Sequence, residues 1–289
     1  MISPALMARL SHYKLSSNGM IRGANKGERR SQRLGTSLEF SDYRLYNPGD
    51  DPRQIDWNTY ARTGKHYIKQ FLDEQELSVN VFVDCTKSMA AEESKWRRSK
   101  ELATVFALMS LSGEDRLAVY PVASATPAHP LTKGKALVHQ MMSYIEGISP
   151  AETGQKFAPF FSHAVNALRP YGLSVIISDL LEDPDSLFQA LKRLQAKRQK
   201  VRLVQVLLPE EAEPDYTGDL KLTDAESGAE RDVSMSRKVV QRYRERFEAH
   251  TRTIESFCRR RGIGYLPCFT SERLEETIFL KFTANGWMI

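Results

Sequence analysis

Val79–Ser88 reads VNVFVDCTKS, a β-branched and aromatic run that ends in a carboxylate followed two and four positions later by hydroxyls. Leu77, Val79, Val81 and Val83 alternate with Ser78, Asn80 and Phe82, which predicts a strand with both faces largely covered. Side chains at alternate positions of a tight loop converge on one point. One carboxylate with two neutral hydroxyls, Asp84 with Thr86 and Ser88, suits a hard cation such as Mg²⁺. Because hydroxyls leave the ion's charge uncancelled, such a site favours an outside carboxylate in an open position. The spacing Asp-x-[Ser/Thr]-x-Ser is weak by itself, arising by chance in on the order of one protein in ten of this length. The alternative is that Asp84 only hydrogen-bonds its loop and caps the next helix. Cys85, between two candidate ligands, reads as a buried filler.

Downstream, Trp96, Leu102, Val105, Phe106, Leu108 and Met109 predict a helix over residues 93–111, with Glu92 and Glu93 near its start. The candidate loop therefore joins the carboxyl end of a strand to a helix, where open α/β sheets place ligands. Strands over residues 116–122, 173–178, 201–208 and 264–268 alternate with helices over 135–145, 157–168, 184–197, 236–261 and 271–282, the last with Ser271 as cap. That alternation predicts a doubly wound α/β domain, its sheet mostly parallel, over residues 77–289. Residues 220–233 predict a hairpin. Residues 1–76, with short β-like pieces and little helical period, read as a β- and loop-rich N-terminal extension.

The 289 residues, 41% hydrophobic and 27% charged, can bury a full core, and no stretch approaches the roughly 20 apolar residues of a membrane helix. The start, MISPALMARLSHYK, lacks the apolar centre of a secretory signal. Cys85, Cys258 and Cys268 are odd in number and widely spaced, against a disulfide scaffold, and no His or Cys spacing suits zinc. The expectation is a soluble, cytoplasmic protein. Basic runs such as RLQAKRQKVR (Arg193–Arg202) and those at 237–246 and 259–261 read as solvated helix faces in preference to nucleic-acid contacts, because no aromatic stacking pattern accompanies them.

Residues 35–89, GTSLEFSDYRLYNPGDDPRQIDWNTYARTGKHYIKQFLDEQELSVNVFVDCTKSM, with SDLLED at Ser178–Asp183 and DAESG at Asp224–Gly228, resemble the bacterial "domain of unknown function 58" family. The resemblance implies a von Willebrand factor A-like, Rossmann-type domain with a metal-ion-dependent adhesion site for Mg²⁺ or Mn²⁺. In that site Asp84, Thr86 and Ser88 match the first loop and Asp179 matches the third as a direct or water-mediated ligand. The second loop departs from the family pattern, since Gln155 stands where threonine belongs and Thr153 lies two residues earlier; an amide oxygen can still ligate Mg²⁺.

In the upstream motif, Asp50, Asp51 and Asp56 lie among Arg44, Arg53 and Arg62, with Tyr46 and Trp57 interleaved. The cluster reads either as a docking surface for a partner or, as the preferred reading, as an ion-paired loop network that pins residues 35–76 onto the α/β domain. The resemblance further implies a non-enzymatic adaptor or co-chaperone that partners a MoxR-type AAA+ ATPase and other von Willebrand A proteins, through the metal face. A metal-dependent phosphoester hydrolase is the alternative, but no general base, phosphate-cradling loop or nucleophile elbow is evident.

Overall fold

Helix α1 (Pro4–Leu10), capped by the Ser3 hydroxyl, opens the chain. Strand β1 (Phe40–Leu45), helix α2 (Trp57–Thr63) and strand β2 (Tyr67–Phe71) follow, with β1 and β2 paired antiparallel. Next come β3 (Ser78–Asp84), α3 (Lys87–Ala90), α4 (Glu93–Ser112), β4 (Arg116–Val122), β5 (His129–Lys133), α5 (Val138–Glu146), α6 (Phe157–Ala167) and β6 (Gly172–Ser178). The chain closes with α7 (Pro184–Ala196), β7 (Gln199–Leu207), α8 (Pro209–Ala212), β8 (Gly218–Thr223), β9 (Glu230–Met235), α9 (Arg237–Arg261), β10 (Gly264–Phe269), α10 (Leu274–Glu276) and a π-helical turn, Thr277–Phe282. The computed structural model describes residues 2–16, 40–71, 77–152, 154–215 and 218–289.

Two units emerge: Met1–Gly23 with Leu77–Ile289, and Ala24–Glu76. The expected boundary at residue 76 is therefore corrected at its N-terminal side. The physical reason is the spacing of Leu6, Leu10 and Leu15, all buried in the core of the larger unit. Arg202 of β7 adds a second tie, donating to the carbonyls of Ser16 and Trp287.

In the larger unit six strands lie in the order β10-β7-β6-β3-β4-β5, all parallel except β5, which pairs antiparallel with β4. Strand β3 lies in the middle of the sheet with nearly every residue buried, as its β-branched and aromatic run with both faces covered predicts. Val79, Val81 and Val83 face a layer with Leu10 of α1, Phe106 of α4, Ile145 of α5 and the C-terminal Trp287. Phe82 faces the other layer, with Phe161 of α6, Leu191 of α7 and Ile254 of α9. The chain fills one side of β3 with β4 and β5, then crosses to the other side for β6, β7 and β10. The order reverses between β3 and β6, so their carboxyl ends form the switch point where such sheets bind ligands.

Two expectations change. Strand β5 was not foreseen, since Pro130 marks the segment as non-strand; it is tolerated because β5 is an edge. Ser271 does not cap the closing helix, which begins at Leu274 after Arg273. The chain first makes a turn that continues the sheet pairing, with Thr270 donating to the Leu207 carbonyl and Glu272 to that of Phe269. Among the described residues no helix is long and apolar enough to cross a membrane.

Candidate functional site

Parallel pairing sets Val83 beside Ile177, so β3 and β6 release their last side chains next to one another. Asp84 is 1% exposed, and both of its oxygens are engaged. Its Oδ1 accepts from the Thr86 amide (2.9 Å) and the Thr86 hydroxyl (2.7 Å), and its Oδ2 accepts from the Ser178 hydroxyl (2.6 Å). The Thr86 and Ser88 hydroxyls stand 3.0 Å apart. Asp84, Thr86 and Ser88 therefore converge, as their alternate spacing predicts. Burial, reinforced by the charge of Asp179, pushes the Asp84 carboxyl well above the usual carboxylate range despite the stabilising bonds from Ser178 and Thr86. Thr86 is the first residue of the α3 cap but makes no side-chain capping bond, because its hydroxyl is committed to Asp84 and Ser88. Cys85 is buried, its thiol donating to the Val83 carbonyl, and burial pushes its pKa up, consistent with a filler.

Asp179 reaches the same rim but is held by another partner. Its Oδ2 lies 2.9 Å from the Lys95 ammonium and its Oδ1 accepts from the Leu181 amide. Lys95, from the first turn of α4 and 1% exposed, also contacts Glu211 at 2.6 Å. Burial pulls the ammonium's pKa down, yet Asp179 and Glu211 together push it further up, so Lys95 stays charged. An internal cation thus takes the oxygen that the family resemblance offered to a metal. The motif around Asp179 is used in full: Glu182 accepts from the Phe157 and Ala158 amides at the start of α6, and Asp183 caps α7 through the Ser186 amide. Leu180, directly after Asp179, adopts a left-handed φ of 55°, a local strain beside the site.

The second loop is tied to the first by the Ala151 amide, which donates to the Cys85 carbonyl at 2.7 Å. Gln155 is half-buried and makes no hydrogen bond to the described residues, and Thr153 lies outside the described residues. Gly154 meets the β8–β9 hairpin: a Cβ there would lie 2.0 Å from the Glu226 carbonyl oxygen. At the hairpin tip Glu226 turns inward, its Oε1 accepting from the Ser88 amide at 2.9 Å. Its Oε2 is buried without a hydrogen-bond partner among the described residues. The chain's own carboxylate therefore reaches the loop that carries the Thr86 and Ser88 hydroxyls. Lys95, Glu211 and Glu226 were missed; the only sequence signal was the glutamate inside DAESG. Among the described residues no three His, Cys, Asp or Glu side chains cluster as metal ligands, so a cation here depends on the Thr86 and Ser88 hydroxyls.

In the smaller unit the charged motif resolves into one ion-pair fork and two caps. Arg44 forks onto Asp50 (2.5 and 2.8 Å) and holds its carboxyl low, at about 2. Asp56 is buried and caps α2 through the Asn58 and Thr59 amides, while also accepting from Tyr43 and Thr59 hydroxyls. Asp51 caps a short 3₁₀ turn through the Arg53 amide. Arg53 and Arg62, expected in the network, are exposed and form no ion pair with the described residues. Trp57 is 59% exposed and packs edge-on against Tyr60 and His66. Asp56→Ala is expected to destabilise the protein by about 2 kcal/mol, whereas Arg53→Ala stays within about 0.5 kcal/mol, measured by urea unfolding. Equal losses would contradict this assignment.

Comparison with other proteins gives relatives without assigned roles. An uncharacterized protein of Mycobacterium tuberculosis (strain ATCC 25618 / H37Rv) is 30% identical over 240 residues, covering 80% of this chain and 74% of its own length. An uncharacterized protein of Mycobacterium bovis matches to the same extent. Among solved structures, the conserved hypothetical protein BatB from Bacteroides thetaiotaomicron is similar with a TM-score of 0.44 and 14% identity, over 73% of this chain and 98% of its own. An aerotolerance-related membrane protein from Bacteroides fragilis is similar with a TM-score of 0.42 and 16% identity, over 66% and 91%. The family described as "Protein of unknown function DUF58" matches residues 42–255, from the Arg44–Asp50 fork through the β8–β9 hairpin into α9, and the chain belongs to that family.

Proposed function

We propose that this chain is a non-enzymatic protein-interaction module of the von Willebrand factor A type. It acts in the cytoplasm as an adaptor for a MoxR-type AAA+ ATPase, the partner class the sequence resemblance implies. Its contact face is the rim at the ends of β3 and β6, where Asp84, Thr86 and Ser88 hold a divalent cation of the Mg²⁺ type, with Gln155 and Thr153 as candidate second-loop contributors. The observation that carries this reading is the gathering of carboxylates at the rim. Asp84, Asp179, Glu211 and Glu226 all reach it, and the buried Lys95 ammonium pairs only with Asp179 and Glu211. Asp84 and Glu226 are left to the loop that carries the Thr86 and Ser88 hydroxyls, which can ligate without adding charge, a donor set suited to a hard dication.

Two features favour binding over chemistry. His250, the histidine at the rim, is committed to the Leu180 carbonyl at 2.7 Å, and His163 is exposed on α6. Neither is placed to take a proton from a cation-bound water at the Asp84 loop. The three cysteines are buried and free, which suits a reducing compartment and leaves none exposed as a nucleophile.

A purified MoxR-type AAA+ ATPase is expected to bind the immobilised protein in Mg²⁺, and to lose binding at least tenfold, about 1.4 kcal/mol, on chelation or in Asp84→Asn. Binding that survives both treatments would remove the rim from the contact. No binding of the ATPase under any of these conditions would remove the adaptor role.

A further inference from the structure

We infer that Glu226 is an internal acidic ligand that closes the rim from within the same chain, so that cation binding and docking of the β8–β9 hairpin are one coupled equilibrium. This inference rests on the cation reading of the Asp84 loop. It adds a residue that neither the adhesion-site spacing nor the upstream motif contains.

The hairpin is built to present one side chain. Asp224 accepts from the Ser227 amide and hydroxyl, and Gly228 follows with a left-handed φ of 70°, so the turn is locally fixed with Glu226 at its apex. The strands that carry it, β8 and β9, are mostly exposed and bury little. A two-stranded ribbon of this kind is marginal without an anchor. The anchor lies at the tip, where Glu226 Oε1 takes the Ser88 amide and the backbone of Glu226 presses on Gly154 so closely that no side chain fits there.

The second carboxylate oxygen is the unexplained atom. Glu226 Oε2 is buried, unpartnered among the described residues, and one hydrogen bond away from the loop that carries the Thr86 and Ser88 hydroxyls. A desolvated carboxylate oxygen with no donor is unfavourable, and a dication held by those hydroxyls supplies the missing counter-charge. With the ion bound, Glu226 closes its open side. An external carboxylate must then displace Glu226, and the lightly packed hairpin gives way to admit it. The rim is accordingly self-capped until a partner's acidic group competes.

Hydrogen exchange on the full chain with Mg²⁺ alone as the probe tests this. In the wild type, Mg²⁺ is expected to slow amide exchange both in the loop at residues 84–88 and in the hairpin Gly218–Met235, by about tenfold, the factor produced by 1.4 kcal/mol. In Glu226→Ala the loop keeps its response and the hairpin loses it. Glu226→Gln, which retains an acceptor for the Ser88 amide but no charge, is expected to behave like Glu226→Ala. If the wild-type loop responds while the hairpin does not, or if the hairpin responds equally in all three proteins, the inference falls and the cation reading stands. If neither segment responds in the wild type, both fall together.

Discussion

Replacing Lys95 by alanine is expected to lower the unfolding free energy by about 3–5 kcal/mol, the scale for removing one partner of a buried ion cluster. The ammonium is 1% exposed and bridges Asp179 and Glu211 at 2.9 and 2.6 Å. Without it, Asp179 keeps only the Leu181 amide on its carboxylate, at 3.2 Å. The loss is dominated by an unpaired buried charge, not by missing attraction. Because the freed Asp179 joins a rim already rich in carboxylates, the variant should regain part of its stability in Mg²⁺, more than the wild type gains. Urea unfolding with and without Mg²⁺ measures both effects. A Lys95→Ala protein within about 0.5 kcal/mol of the wild type would mean the triad carries no weight.

Asp84→Asn is expected to act in the opposite sense on the metal-free protein while abolishing cation binding. Asparagine keeps an acceptor for Thr86 and removes a charge that burial and Asp179 disfavour. The folded pKa of Asp84 lies above its unfolded value near 4, so the folded state holds the proton more tightly. Stability from this group is therefore fully present below about pH 4 and is lost as pH rises through the raised folded pKa. The asparagine variant lacks that loss, so at neutral pH without divalent ions it should be the more stable protein, by about 0.5–2 kcal/mol. A gain in stability with a loss of binding is the signature of a residue kept for function. A variant destabilised by several kcal/mol would instead mark Asp84 as a structural hub of its loop.

The centre of the sheet was legible because β3, β6 and β7 are rich in Val, Ile and Leu with no helix period, and because Asp84 and Asp179 each follow such a run directly; the edge strand β5, HPLTK, has no such run and was not legible. The first loop was legible for the same local reason: alternate spacing within five residues determines convergence. What decides the state of the site was not. Lys95 sits in ESKWRRSK, a stretch that reads as a solvated helix start; only the seating of α4 beneath the β6 loop brings it to Asp179, 84 positions away. Glu226 reaches Ser88 across 138 positions: the hairpin was legible, but its docking on the Asp84 loop is a tertiary contact that no local pattern announces. The N-terminal leucines escaped because a seven-residue helix is too short for its period to stand out, and its burial against the core is a tertiary event. In the upstream motif the charges were legible but their pairing was not, since Arg53 is nearer to all three aspartates in sequence and only the fold of the segment selects Arg44 for Asp50.

Calorimetric titration of Mg²⁺ and Mn²⁺ into the full chain, beside Asp84→Asn, tests the cation at the Asp84 loop most directly. One saturable site per chain is expected in the wild type and none in the variant. Silence of the wild type up to millimolar ion, or equal binding by both proteins, would contradict it.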